Sequence, residues 1–311
     1  MFDPLPPNHT SFGHPQPQYN LHFGTCTVSV PNTHEMGKLE TPFFSWLADP
    51  TKHVLLQRKG NNARADWVAS LDQRLRQTPY KRAMALFPGH GVSPDDACRR
   101  AAQIKVDLQY EGPIILFIWT VGYYLDYVKT KEGVPWSAPY AHQLLDLLCT
   151  HPQLENLDIF AHSLGADVSA RGGAARRQNQ QRPCYDNVIL SAPDIDRRLF
   201  LRDLMAPLVS QSKQIILFYS SNDDALKAAQ RITGYPRLGG GDGIPILPPI
   251  VTIDASRAPT DIFGFGHSYA ASHREVLSIT ADIVRHRRSF DDIPLIERVP
   301  TPDGDYFELR R

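Results

Sequence analysis

The sequence predicts an α/β fold, a mostly parallel twisted sheet with helices on both faces. Two observations carry that expectation. From residue 81 onward short apolar runs recur: "RAMALF" (82–87), "PIILFIW" (113–119), "LDIFAH" (157–162), "NVILSA" (187–192) and "QIILFYS" (214–220), with a last short run, "PIVTIDA" (249–255). Runs of this length, rich in Ile, Leu, Val and Phe, suit strands buried on both faces, as in parallel sheets. The stretches between them read as helices, and strand alternating with helix is the pattern of α/β layers. The 311 residues, 42% of them hydrophobic, suffice for one large core.

Taken in order, residues 1–20 carry prolines at 4, 6, 7, 15 and 17, which block regular structure, so a poorly ordered lead-in is expected. The main domain is expected over 21–287. It opens with two candidate strands, "FGTCTVSVP" (23–31) and "KHVLLQRK" (52–59). "SPDDACRRAAQIKVDLQ" (93–109) is the clearest helix: Ser93 can cap it, Pro94 suits its first turn, and Asp95 and Asp96 suit its positive end. Residues 119–143 are longer than a simple connection. Their four tyrosines and two tryptophans fit ordinary packing better than a cleft lining. "YPRLGGGDGIPILPP" (235–249) is a Gly/Pro loop with no basic residue placed to make a phosphate loop. Residues 288–311 are set apart as a C-terminal extension.

Several function classes drop out on composition. Lys+Arg and Asp+Glu are 33 each, so nothing points to nucleic acid or an anionic membrane as partner. The longest purely apolar run, Ile114 to Trp119, is far too short to be a transmembrane segment. The N-terminus lacks the basic start and apolar middle of a signal peptide, so a cytoplasmic location is expected. Cys26, Cys98, Cys149 and Cys184 are widely spaced, with no C-x-x-C pair. That pattern predicts free thiols, with neither a disulfide framework nor a metal site.

The chemistry centres on "IFAHSLGADV" (159–168), where strand "LDIF", Ser163 and the helix-like "GADVSARGGAA" follow one another. Such a strand–turn–helix lifts a serine hydroxyl clear of the sheet as a nucleophile elbow. The positions two before and two after the serine must be small, because strand and helix pass close there; Ala161 and Gly165 meet that demand. A bare five-residue match also fits a buried serine at a helix start. Serine needs a histidine to take its proton and a carboxylate to orient that histidine, in the chain order Ser, Asp, His. Asp223 and Asp224 follow the strand "QIILFYS", and His267 lies in the glycine-flanked "GFGHSY". Spacing does not separate the two aspartates. Asp194 and Asp196 in "SAPDID" are a third possibility, with turn or cap chemistry as their plain reading. The oxyanion hole should combine the backbone N–H of Leu164 with one from "PGHGVS" (88–93), contributed by His90 or Gly91.

With these residues in place the chain resembles a bacterial family of α/β-hydrolases of unknown function, often called esterase/lipase-superfamily proteins. The resemblance runs from about residue 23 to 287, through "FGTCTVSVPNTHEMGKLETP", "SPDDACRRAAQI", "LFIW", "IFAHSLG", "ILSAPDID", "YSSNDDALKAAQRITGYPRLG" and "GFGHSY". It implies the α/β-hydrolase fold and a triad of Ser163, Asp223 and His267; the family pattern S-x-x-D-x-A-L over Ser220–Leu226 selects Asp223. It implies oxyanion amides from His90 and Leu164, although this chain has Pro88-Gly89 where the family usually carries His-Gly. The expected activity is cofactor-free hydrolysis of a small-molecule carboxylic ester through an acyl-enzyme, with thioesters and lactones open. A non-catalytic ligand-binding relative and an acyltransferase with the same triad are the competing expectations.

Overall fold

The computed structural model describes residues 20–119, 126–176, 183–241, 243–258 and 272–310. Eight strands form one sheet: β3 (Arg82–Phe87), β4 (Ile114–Leu116), β5 (Asn156–His162), β6 (Tyr185–Ser191), β7 (Ser212–Tyr219), β8 (Val251–Asp254), β9 (Ile296–Thr301) and β10 (Gly304–Leu309). Their spatial order is β4-β3-β5-β6-β7-β8-β10-β9, and every neighbouring pair is parallel except β10–β9. The first two strands, β1 (Phe23–Ser29) and β2 (Leu55–Asn62), stand apart as an antiparallel hairpin.

The apolar runs form central strands because both faces of the sheet are covered. Along β3 every residue is buried. Ala83, Ala85 and Phe87 enter one core, and Met84 and Leu86 the other. Strand β7 divides the same way, Ile215 and Leu217 against Ile216 and Phe218. This is the two-residue period of a strand between two apolar layers. One layer is supplied by α1 (Arg64–Arg76), α3 (Tyr127–Cys149) and α4 (Leu164–Ala174). The other is supplied by α2 (Pro94–Asp107) and by the helix Arg274–Ala281. Each fully buried Leu, Ile or Phe contributes about 1.5–3 kcal/mol.

Residues 288–311, set apart on sequence as an extension, contribute β9 and β10. Strand β10 runs parallel to β8, and Ile296, Phe307 and Leu309 enter the second core. The extension therefore widens the main sheet. The cysteines require a correction: Cys26 is bonded to Cys98 and Cys149 to Cys184, with Cα separations of 6.1 and 5.7 Å. The first bond ties β1 to α2, and the second ties the end of α3 to the chain just before β6. Residues distant in sequence meet because the helices lie back across the sheet, which spacing alone does not disclose. Among the described residues, no helix is long and apolar enough to cross a membrane.

Candidate functional site

Ser163 sits between β5 and α4 with φ 55° and ψ −127°. A left-handed backbone at a residue with a Cβ is strained and persists only where its surroundings enforce it. Here the end of β6 enforces it from both sides. The Ser163 N–H donates to the Ser191 carbonyl (3.0 Å), and the Ser163 carbonyl accepts from the Asp194 N–H (3.2 Å) and the Ala166 N–H (3.0 Å). Ser163 is only 4% exposed. Leu164 opens α4, so its N–H belongs to the first turn, whose amides have no partner within the helix. The dipole of that helix end favours negative charge beside Ser163.

The loop 88–93 runs against this turn. A Cβ on Gly89 would lie 2.9 Å from the Ser163 Cβ and 2.8 Å from His162 Nδ1. A Cβ on Gly165 would lie 2.3 Å from the Pro88 oxygen and 2.5 Å from the Phe87 oxygen, so α4 crosses β3 closely enough to demand glycine. Ala161, by contrast, packs its methyl inside the first core cluster, which explains why alanine is accepted there. Pro88 is fixed in turn: the buried Trp119 donates from Nε1 to its carbonyl at 2.8 Å. His90 follows, with Nδ1 3.0 Å from the Thr130 hydroxyl and its ring edge-on to Tyr127. Beyond the loop, Ser93 accepts from the Asp96 N–H (3.1 Å) and caps α2, with Pro94 in the first turn.

The two adjacent aspartates part company. Asp223 is fully buried at the N-terminus of α5 (Asp224–Thr233), where its carboxylate accepts from the Leu226 N–H at 2.9 Å. Asp224 is 68% exposed and pairs with Lys227 at 3.0 Å. Asp223 follows the C-terminal end of β7 and Ser163 follows that of β5, so both stand at the sheet edge where ligands of open α/β sheets collect. His267 lies outside the described residues. Of the site residues read from the sequence, Ser163 and its neighbour Leu164 share one turn, and the 88–93 loop approaches Ser163 at Gly89.

Asp194 and Asp196 have other work. Asp196 accepts from the Arg198 N–H at 3.0 Å and pairs with its guanidinium, which is the cap chemistry expected. Asp194 is buried and held by Arg237 (Nε 2.7 Å), by the Tyr127 hydroxyl (2.8 Å) and, at longer range, by Lys131 (3.6 Å). Its own N–H grips Ser163. Sequence reading overlooked this cluster because Arg237 lies inside a glycine-rich loop that pointed to no ligand. Burial and the Asp194 charge push the Tyr127 hydroxyl far above its ordinary range, so it stays a donor. Burial pulls Lys131 below its ordinary value, while Asp194 opposes the shift. Tyr127, Thr130 and Lys131 all lie in the first turns of α3, so one helix start touches both the His90 loop and the segment that holds Ser163. Among the described residues, no group of three or more His, Cys, Asp or Glu could hold a metal ion.

A family pattern described as alpha/beta hydrolase of unknown function (DUF900) matches residues 63–287, well over half the chain. The large, mostly parallel sheet is that of the α/β-hydrolase fold. No curated protein matches the sequence.

Proposed function

The chain belongs to this family of α/β hydrolases of unknown function, and we propose that it is a serine hydrolase of carboxylic esters acting through an acyl-enzyme. Ser163 attacks the carbonyl, His267 takes its proton and later returns it to the leaving alcohol, and Asp223 orients the imidazole. The amides of Leu164 and His90 receive the developing oxyanion, and water then releases the acid. One observation carries this proposal: Ser163 keeps a strained left-handed backbone between a central strand and a helix N-terminus, with the Gly89 loop pressed against its side chain. A serine serving only as a helix cap needs no such strain, and Ser163 makes no side-chain capping bond. The two disulfides favour an oxidising compartment over the cytoplasm expected from the N-terminal sequence, and we attach that location to the proposal.

Labelling with a fluorophosphonate probe tests it directly. Wild-type protein should be labelled and Ser163→Ala should not, with ester turnover down by about 10⁴-fold. Asp223→Asn should lose roughly as much, and Asp224→Asn little, since its carboxylate faces solvent. Unlabelled wild-type protein would favour a ligand-binding relative. Ester products formed with added alcohols would favour an acyltransferase.

A further inference from the structure

The first turn of α3 turns Tyr127 and Thr130 inward, while Val128 and Lys129 between them face solvent. Residues three apart share a helix face, and this face lies against two segments of the candidate site at once. Asp126 caps the turn by accepting from the Lys129 N–H at 3.0 Å, so both side chains leave a fixed backbone.

Tyr127 reaches the Ser163 turn through Asp194. Its hydroxyl donates to one oxygen of the Asp194 carboxylate at 2.8 Å, and Arg237 Nε stands 2.7 Å from the other. Arg237 also donates to the Asp194 carbonyl at 3.0 Å, and the Asp194 N–H holds the Ser163 carbonyl at 3.2 Å. A shift of Asp194 therefore moves the turn from which Ser163 and the Leu164 amide project. The same Tyr127 ring meets His90 edge-on, with centroids 6.2 Å apart. Thr130, fully buried, takes hold of His90 directly. Its hydroxyl gives its one hydrogen to the Asp126 carbonyl at 3.0 Å, so towards His90 Nδ1, also at 3.0 Å, it can only accept. His90 Nδ1 must then carry a hydrogen and donate, which fixes both the tautomer and the ring.

We propose that Tyr127 and Thr130 are positioning residues, which hold the His90 loop and the Ser163 turn in one register. In the ester hydrolase proposed above, on which this role rests, those two segments supply the oxyanion amides of His90 and Leu164. A misplacement of about 1 Å between such donors and the reacting carbonyl costs on the order of 10²-fold.

Variants that delete a hydroxyl and variants that delete volume separate this role from packing. Tyr127→Phe and Thr130→Val keep the volume and lose the hydroxyl, whereas Thr130→Ser keeps the hydroxyl and loses a methyl. With turnover of a water-soluble ester counted per probe-titrated site, Tyr127→Phe and Thr130→Val should each lower kcat about tenfold with KM unchanged. Thr130→Ser should recover most of that loss, although its missing buried methyl lowers Tm by a few degrees. Equal kcat in all variants, or Thr130→Ser as slow as Thr130→Val, overturns the proposal. A second measurement is independent of turnover. Imidazole nitrogen NMR above neutral pH should show His90 as the Nδ1–H tautomer in wild type and lose that preference in Thr130→Val. A wild-type His90 without hydrogen on Nδ1 overturns the proposal whatever the kinetics. The expected tautomer and its loss in Thr130→Val, in a protein with neither turnover nor probe labelling, would count against the proposed hydrolase alone.

Discussion

Gly89→Ala is the substitution that most directly probes the contact between loop 88–93 and Ser163. The added methyl would lie 2.8 Å from His162 Nδ1 and 2.9 Å from the Ser163 Cβ, where ordinary contact begins at 3.4 Å. Neither neighbour yields easily, since Ser163 is held through both its N–H and its carbonyl. The loop must therefore retreat by about half an ångström or more, and the His90 amide moves with it. Overpacking of this kind costs about 1–3 kcal/mol, which in a chain of this size lowers Tm by a few degrees at ~2–4 °C per kcal/mol. For the His90 amide as the proposed oxyanion donor, displacement is felt more sharply, since a shift of about 1 Å costs on the order of 10²-fold. Steady-state kinetics on a chromogenic short-chain ester should show kcat reduced by about 10- to 100-fold with KM little changed. Thermal unfolding would establish that the variant is folded. Wild-type kcat together with wild-type Tm would show that the loop does not abut Ser163 as described. A fall in Tm with kcat intact would show that the loop contributes packing and no oxyanion donor.

A charge cluster and two disulfides tie together segments that are distant in sequence. The His34 side chain, buried between Glu40 (2.9 Å) and Asp107 (2.9 Å), is opposed by its burial, yet hydrogen bonds and charge from both carboxylates raise it above its ordinary 6.5. Its contribution to stability is therefore complete below 6.5 and lost as pH rises through the raised folded value. Glu40 runs the other way: despite its burial, the Glu35 N–H and His34 lower it from 4.5, so its share is lost as pH falls through the lowered value. The Tm gap between wild type and His34→Gln should be widest between those two ordinary values and narrow toward alkaline pH. A gap that widens with pH would contradict the clamp. The disulfides close loops spanning 72 and 35 residues, each worth about 4 kcal/mol on the chain-entropy account. Reductant should lower Tm by about 10 °C or more, and peptide mapping without reductant should recover Cys26–Cys98 and Cys149–Cys184 as linked pairs. Four alkylatable thiols in the native protein would refute the pairing.

What could be read from the sequence divides along a physical line. Strands β3, β5, β6 and β7 were legible because both their faces are buried, and an unbroken apolar run signals that condition locally. The strand–turn–helix around Ser163 was legible because such a turn has its own chemistry, with small residues flanking the serine. Spacing does not separate Asp223 from Asp224, since adjacent residues differ by which side of a helix start they face. Burial of one and exposure of the other is a tertiary fact. The same holds for Asp194. Its carboxylate meets Arg237 and Tyr127, and its backbone carbonyl accepts from Arg237 as well; the two partners are respectively 43 and 67 positions away, and no local pattern announces that three such residues converge behind one serine. Removing one partner of a buried ion pair costs about 3–5 kcal/mol by stranding the other. Asp194 and Arg237 are thus as tightly constrained as the triad candidates, although neither need touch a substrate. The sequence around Ser163 discloses the turn that strains its backbone. The charges and hydrogen bonds that keep the strain from relaxing come from wherever the sheet brings them.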